Sequence, residues 1–174
     1  MNTEDGLKVQ HRFSDCLYWN LFFLIPLIIG SVAIARSSAL GVLVYLLLSA
    51  GVFFVVVYKF FCTHCPHYIE GDNTTKCLFL WGLPKYFKPQ PGPYSYLELT
   101  VTLSSVLLWV AFPLFWLYLH PGLLAAYLVS IVVLVATIRR NECGQCIHFD
   151  CPGNTVTEDA KAHHLGARSR QEEE

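Results

Sequence analysis

Residues 39–61 read ALGVLVYLLLSAGVFFVVVYKFF, 23 positions holding one formal charge, Lys59. A helix needs about 20 apolar residues to cross the hydrocarbon core of a bilayer, so this run predicts a membrane span. Arg36-Ser37-Ser38 separates it from an earlier apolar run, Leu17–Ala35, whose 19 residues carry no formal charge. So short a connection folds the two runs back on each other as an antiparallel hairpin. Pro26 and Gly30 lie inside the earlier run, where neighbouring helices can re-satisfy the backbone groups that a kink frees.

The pattern returns further along. Ser95–Leu119 and Gly122–Ile138 are again apolar, and His120-Pro121-Gly122 is again a minimal turn. The fourth run has 17 residues, about 26 Å at a helical rise of about 1.5 Å per residue, with Arg139 and Arg140 at its end as anchors. Composition points the same way: 54% hydrophobic residues, 14% charged and a mean hydropathy of +0.44 suit a bilayer better than a soluble domain. The expected fold is an all-α integral membrane protein of four transmembrane helices, paired as two hairpins, with the lipid bilayer as its first partner. The net charge of −1 implies no partner, and no basic stripe with interleaved aromatics suggests nucleic acid.

The expected organisation is a polar N-terminal segment (1–16), a first hairpin (17–61), a Cys/His loop (62–94), a second hairpin (95–138), a second Cys/His head (139–153) and a polar, disordered tail (154–174). Ala33-Ile34-Ala35 resembles a signal-peptidase site. The run before it is longer than the usual signal core, and cleavage would remove one arm of a hairpin, so an uncleaved span is expected. In the loop, Glu70-Gly71-Asp72-Asn73 reads as a turn, and Cys77–Pro84 is apolar but too short to span. Trp81, Tyr86 and Phe87 alternate with Lys85 and Lys88, which fits either a headgroup-level belt or a loop packed over the protein. Pro89-Gln90-Pro91-Gly92-Pro93 ends the loop stiffly. Glu98 is the only acid within the four runs; it is expected to face water or Lys88, with a proton or cation handle as the alternative. Ser104 and Ser105 could hydrogen-bond between helices.

Four spans put both termini and the long loop on one side. Eleven of the twelve Lys and Arg residues fall there and only Arg36 falls on the other, so the positive-inside rule makes the termini and both cysteine heads cytoplasmic. Cytosolic thiols are held reduced, which disfavours structural disulfides and leaves thiolates free to bind metal.

That matters because Cys62-Thr63-His64-Cys65-Pro66-His67-Tyr68, directly after the second run, returns 81 positions later as Cys143-Gly144-Gln145-Cys146-Ile147-His148-Phe149. Both copies read C-x-x-C-x-H-aromatic. A basic residue, Lys59 or Arg140, stands three positions before each, and one further cysteine, Cys77 or Cys151, follows each. The copies imply parallel repeats related by an axis along the membrane normal. C-x-x-C lets a tight turn aim two sulfurs at one ion. One arrangement is a single site from Cys62, Cys65, Cys143 and Cys146; another is two sites, Cys62/Cys65/His67/Cys77 and Cys143/Cys146/His148/Cys151. Zinc and an iron–sulfur cluster both suit such spacing, and Pro66 and Pro152 after cysteines occur in ferredoxin-like runs. His64, His67 and His148 also have a plainer reading as interfacial side chains, with Asp150 placed to orient His148. Cys16 is left over as an inert small residue.

Three functions follow: a metal-holding module that docks a cytoplasmic protein or carries electrons, a thiol–disulfide oxidoreductase, and soft-metal handling. The second draws on an outline, four helices with paired cysteines at their ends, that is similar to the quinone-linked disulfide-forming membrane oxidoreductases. Those enzymes work on the oxidising face, whereas the charges here place the cysteines inside. Soft-metal handling needs an intramembrane path, for which the spans offer only Asn20, Glu98 and a few Ser and Thr. Nothing in the chain suggests hydrolase or kinase chemistry.

Overall fold

The computed structural model describes residues 7–8, 11–69 and 73–172. Residues Glu70-Gly71-Asp72 of the expected turn lie outside them. Four helical stretches are long and apolar enough to cross a membrane: Phe13–Ala35, Ala39–His64, Tyr96–Leu117 and Pro121–Gln145.

Helix α1 (Phe13–Ala35) begins four residues earlier than the apolar run, because the backbone N–H of Arg12 donates to Asp15 Oδ2 at 3.0 Å and satisfies its first turn. It ends where the amides of Ser37 and Ser38 both donate to the Ile34 carbonyl. Ser38 then caps α2 (Ala39–Ala50) by accepting from the Gly41 N–H at 3.0 Å. A Cβ on Gly41 would lie 2.8 Å from Ile34 Cγ2, so the two arms of this hairpin meet where only glycine fits. The second span widens into a π-helical stretch, Gly51–Val57, a rare conformation inside a helix, before α3 (Tyr58–Phe60).

The third span is broken by its proline, as its sequence allows. Helix α5 (Tyr96–Ala111) stops ahead of Pro113, which has no N–H to give, and α6 (Leu114–Leu117) restarts from it, the amides of Trp116 and Leu117 donating to the Pro113 carbonyl. Helix α7 (Pro121–Asn141) opens with proline in its first turn and closes with Arg139 and Arg140. It runs further at both ends than the apolar stretch.

Inside the bundle, α1 packs against both α2 and α7, and α5 packs along the π-helical stretch. Trp109 of α5 fills the centre, stacked between Tyr45 and Phe23, and its indole N–H donates to Ser49 Oγ at 2.7 Å. The opposite faces are bare: Leu40, Leu47, Leu103, Leu107 and Val132 all point outward. Apolar faces this continuous are what a bilayer covers.

Two segments differ from expectation. Residues Cys77–Pro84 do not form one interfacial stretch: Thr74–Lys76 (β1) pairs antiparallel with Trp81–Pro84 (β2), folding the apolar residues into a small hairpin packed on the spans. Leu78 joins Trp19 and Leu134, and the Tyr58 hydroxyl donates to the Pro84 carbonyl at 2.8 Å. These contacts pack the loop on the spans, while Tyr86 stays exposed. The tail, expected to be disordered from Asn154, carries helix α8 (Glu158–Glu172). Glu158 and Asp159 sit in its first turn, where acids complement the helix dipole.

Candidate functional site

Both C-x-x-C motifs follow the same backbone path. Each starts at a residue just past a span, Phe61 (φ −114°, ψ −50°) or Glu142 (φ −110°, ψ −50°). Each makes one 3₁₀ turn, Cys62–His64 or Cys143–Gln145, and leaves it extended at Cys65 (φ −76°, ψ 134°) or Cys146 (φ −88°, ψ 131°). Two residues on, the amides of His67 and His148 donate to the sulfurs of Cys65 and Cys146, the second at 3.4 Å. The third cysteine of each set has amides facing it as well: Phe79, Leu78 and Leu80 for Cys77, Gly153 and Asn154 for Cys151. Pro66–Ile69 (α4) continues the first motif as one helical turn; the second has no counterpart to it.

The thiols of the two motifs also act on one another electrostatically. Burial pushes the Cys65 thiol up, and Cys77, Cys146 and Cys151 push it the same way. Cys146 is raised to about 11 by burial and by Cys151, Cys143 and Cys77. Burial likewise raises Cys77 and Cys151 against the pull of their amides. The positions of the Cys143 and Cys151 sulfurs are close as well, each within 4 Å of where a Cβ on Gly153 would stand. Residues from the two ends of the sequence pattern therefore share one region. Among the described residues, however, no three or more His, Cys, Asp or Glu side chains are arranged to hold a metal ion.

The histidines have other partners. His148 Nε2 lies 3.0 Å from the Tyr94 hydroxyl, which itself donates to the Phe61 carbonyl at 3.3 Å, so the imidazole donates from Nε2. Tyr94, not Asp150, orients this ring; the Asp150 charge only opposes the lowering that burial imposes on His148. His67 is buried with its ring 4.5 Å from that of His11. His64 is buried, its Nδ1 3.2 Å from the Gly92 carbonyl and its Nε2 3.3 Å from Glu98 Oε1. Glu98 stays partly open to water in the first turn of α5, and His64, not Lys88, is its basic neighbour. It is fixed by Ser95, whose N–H and hydroxyl donate to Oε2 at 2.9 and 2.7 Å in the cap of α5, and by His64.

Three contributors were missed by sequence reasoning. Tyr94 stacks on Phe61 at 5.0 Å and contacts His64 and His148, and its hydroxyl is raised by burial and by Cys151, Cys65, Cys62 and Cys146. An aromatic directly after a Pro-Gly-Pro stretch was the available signal. The N-terminal segment is the second: the Lys8 amide donates to the Gln145 carbonyl at 2.7 Å, and Lys8 Nζ pairs with Glu142 at 2.8 Å while the Trp19 indole donates to the same oxygen. Cys16 is the third. It lies close enough to raise the thiol of Cys77, and the Asn20 amide spans from its sulfur to the Phe79 carbonyl. An asparagine in an apolar run pointed to such a contact.

Comparison with protein-family models, with curated proteins and with solved structures finds no match to this chain. The fold defines the class, a mostly helical chain with four helices long and apolar enough to cross a membrane.

Proposed function

We propose that this protein is a membrane module that holds a metal, zinc or an iron–sulfur cluster, in thiolates drawn from both C-x-x-C turns. The observation that carries the reading is the common geometry of the two C-x-x-C motifs, each a single 3₁₀ turn just past a span that leaves extended at its second cysteine, with an amide donated back to that sulfur; the electrostatic influence of Cys77, Cys146 and Cys151 on Cys65 agrees with it. Thiols gathered in this way repel one another as thiolates, so burial keeps them protonated until a cation supplies the missing charge. The amides facing Cys65, Cys77, Cys146 and Cys151 are donors that stabilise metal-bound sulfur and tune its centre.

Zinc takes four sulfurs at about 2.3 Å, and an iron–sulfur cluster also takes four. Six are available: Cys62, Cys65, Cys77, Cys143, Cys146 and Cys151. The Tyr94 contact at His148 Nε2 favours thiolates over imidazoles, leaving His67 and His148 beside the centre. Because no three ligands are preset, binding would have to draw the two turns onto the ion. The matching turns support parallel repeats, and the distribution of Lys and Arg supports cytoplasmic heads and termini. With zinc, the centre staples the hairpins and leaves a surface for a docking protein. With a cluster, it passes electrons to or from a cytoplasmic redox partner. Thiol–disulfide exchange is disfavoured by the burial that keeps Cys65 and Cys146 protonated, since the thiolate is the nucleophile.

Elemental analysis and absorption spectroscopy of anaerobically purified protein test this. A colourless preparation with stoichiometric zinc selects the staple, and visible absorption with iron and sulfide selects the electron carrier. Cys65→Ser and Cys146→Ser should each lose metal; unchanged metal content in both variants overturns the reading. Labelling by a membrane-impermeant maleimide at Arg36→Cys in intact cells, with the native cysteines replaced by serine, checks the orientation.

A further inference from the structure

An open groove runs along the outer surface of the bundle where the π-helical stretch crosses α5. Its volume is about 760 Å³, within the span of about 300–1,000 Å³ typical of small-molecule sites. Leu48, Val52 and Val55 form one wall, and Val101, Ser104 and Leu108 the other. Two local features keep it open. Gly51 has no side chain, and a Cβ there would meet nothing within 4 Å, so the second span leaves a gap where it widens. Ser104 and Ser105 are too short to close that gap from α5, and the Ser105 hydroxyl is turned back onto the Val101 carbonyl of its own helix. The lining offered to a ligand is therefore apolar, as a hydrocarbon chain requires.

At its head-side end the groove acquires a charge. Lys59 follows Val55 and Val56 by four and three residues, so it stands on the same face one turn nearer the cysteine heads. It is exposed, and its ammonium lies 5.1 Å from the Phe60 ring centroid. On the opposite wall, Tyr96 precedes Thr100 by one turn and is 93% exposed at the start of α5. An exposed lysine and an exposed tyrosine at the ends of two neighbouring spans are residue types that meet lipid headgroups. The charge picks out one sign: a phosphate with no compensating ammonium is matched by Lys59, and a neutral headgroup is not.

We propose that this groove is a specific site for an anionic glycerophospholipid, one acyl chain lying between the π-helical stretch and α5 and the phosphate paired with Lys59. This function is independent of the metal reading, since no cysteine lines the groove.

Native mass spectrometry of the protein released from nanodiscs tests it. The nanodiscs contain equal phosphatidylglycerol and phosphatidylcholine of the same chain length. One phosphatidylglycerol should remain bound in preference to phosphatidylcholine. Lys59→Gln should reduce that preference about fivefold, in line with about 1 kcal/mol per basic residue near an anionic surface. Ser104→Leu, which fills the groove from a lipid-facing position, should abolish retention of both lipids, while Lys88→Gln should leave it unchanged. Circular dichroism of each variant establishes that the helices persist. Equal retention of the two lipids, or retention unaltered by both Lys59→Gln and Ser104→Leu, overturns the proposal. So does a dimer that Ser104→Leu dissociates, because the groove is then filled by a second copy.

Discussion

The Tyr94 hydroxyl accepts from His148 Nε2 at 3.0 Å and donates to the Phe61 carbonyl at 3.3 Å, so one side chain ties the end of the second span to the segment beyond the fourth. Phe61 and His148 are 87 positions apart in sequence (148 − 61), and this link holds them at one surface.

Tyr94→Phe removes both hydrogen bonds while keeping the ring stack on Phe61. Each such bond contributes about 0.5–1.5 kcal/mol net, so the variant should lose about 1–3 kcal/mol. Tyr94→Ala, which also empties the space between His64 and Phe61, should lose about 3–5 kcal/mol, as large aromatic truncations do. Denaturant unfolding in detergent micelles, followed by tryptophan fluorescence, measures both; an unchanged stability in Tyr94→Phe would mean that the hydroxyl contributes nothing, and equal losses in the two variants that the ring adds nothing to it.

The Trp109 indole and Ser49 hydroxyl, 2.7 Å apart, form a hydrogen bond between helices in the bundle centre. In a membrane such bonds couple by about 0.6 kcal/mol on average and by at most about 1.7 kcal/mol. A double-mutant cycle with Trp109→Phe and Ser49→Ala should return a coupling in that range. A value of zero would assign the contact to packing alone.

His11 is held down to about 4, first by burial and next by Lys8. Glu142 Oε2 is 3.6 Å from His11 Nδ1, yet that carboxylate is already paired with Lys8 at 2.8 Å, which offsets its pull on the ring. With its folded value below the unfolded value of about 6.5, neutral His11 favours folding above pH 6.5, and that contribution is lost as pH falls toward 4. At pH 5 the loss should be about 2 kcal/mol. Unfolding measured from pH 7 to pH 4.5 should show it, and His11→Gln should flatten the curve across that window.

On the metal reading, each thiolate that binds must first lose a proton. With Cys146 raised to about 11 and Cys65, Cys77 and Cys151 also raised, protons compete throughout the neutral range. Affinity should therefore climb between pH 6 and pH 8, by up to about tenfold per pH unit for each thiolate that binds. Competition against a chromophoric chelator across those pH values measures the slope; a flat profile would mean that no thiol proton is displaced.

The membrane spans were legible because residues 39–61 hold one charge in 23 positions, and apolar length is a property of consecutive residues. The repeat was legible for the same reason: Cys62 to Tyr68 and Cys143 to Phe149 match without any knowledge of packing. Other features could not be read this way. Nothing local marks Gly51–Val57, the stretch along which α5 packs, as π-helical. The β-hairpin around Leu78 and Leu80 formed because those residues found Trp19, Leu134 and Tyr58 to pack on. Segment 158–172 was read by polarity alone, which hid the pair of acids, Glu158 and Asp159, that suits the first turn of a helix.

By itself, then, the chain determined where it crosses a membrane, where it turns back and which residue types gather at the span ends, because each of these depends on neighbours in sequence. Only the tertiary structure decided which side chains face one another. It set Tyr94 between Phe61 and His148, turned His64 toward Glu98, and bridged Cys16 to the Phe79 carbonyl through the Asn20 amide. Those pairings rest on helix packing and loop closure between residues as far as 87 positions apart, a distance over which spacing along the chain carries no geometric information.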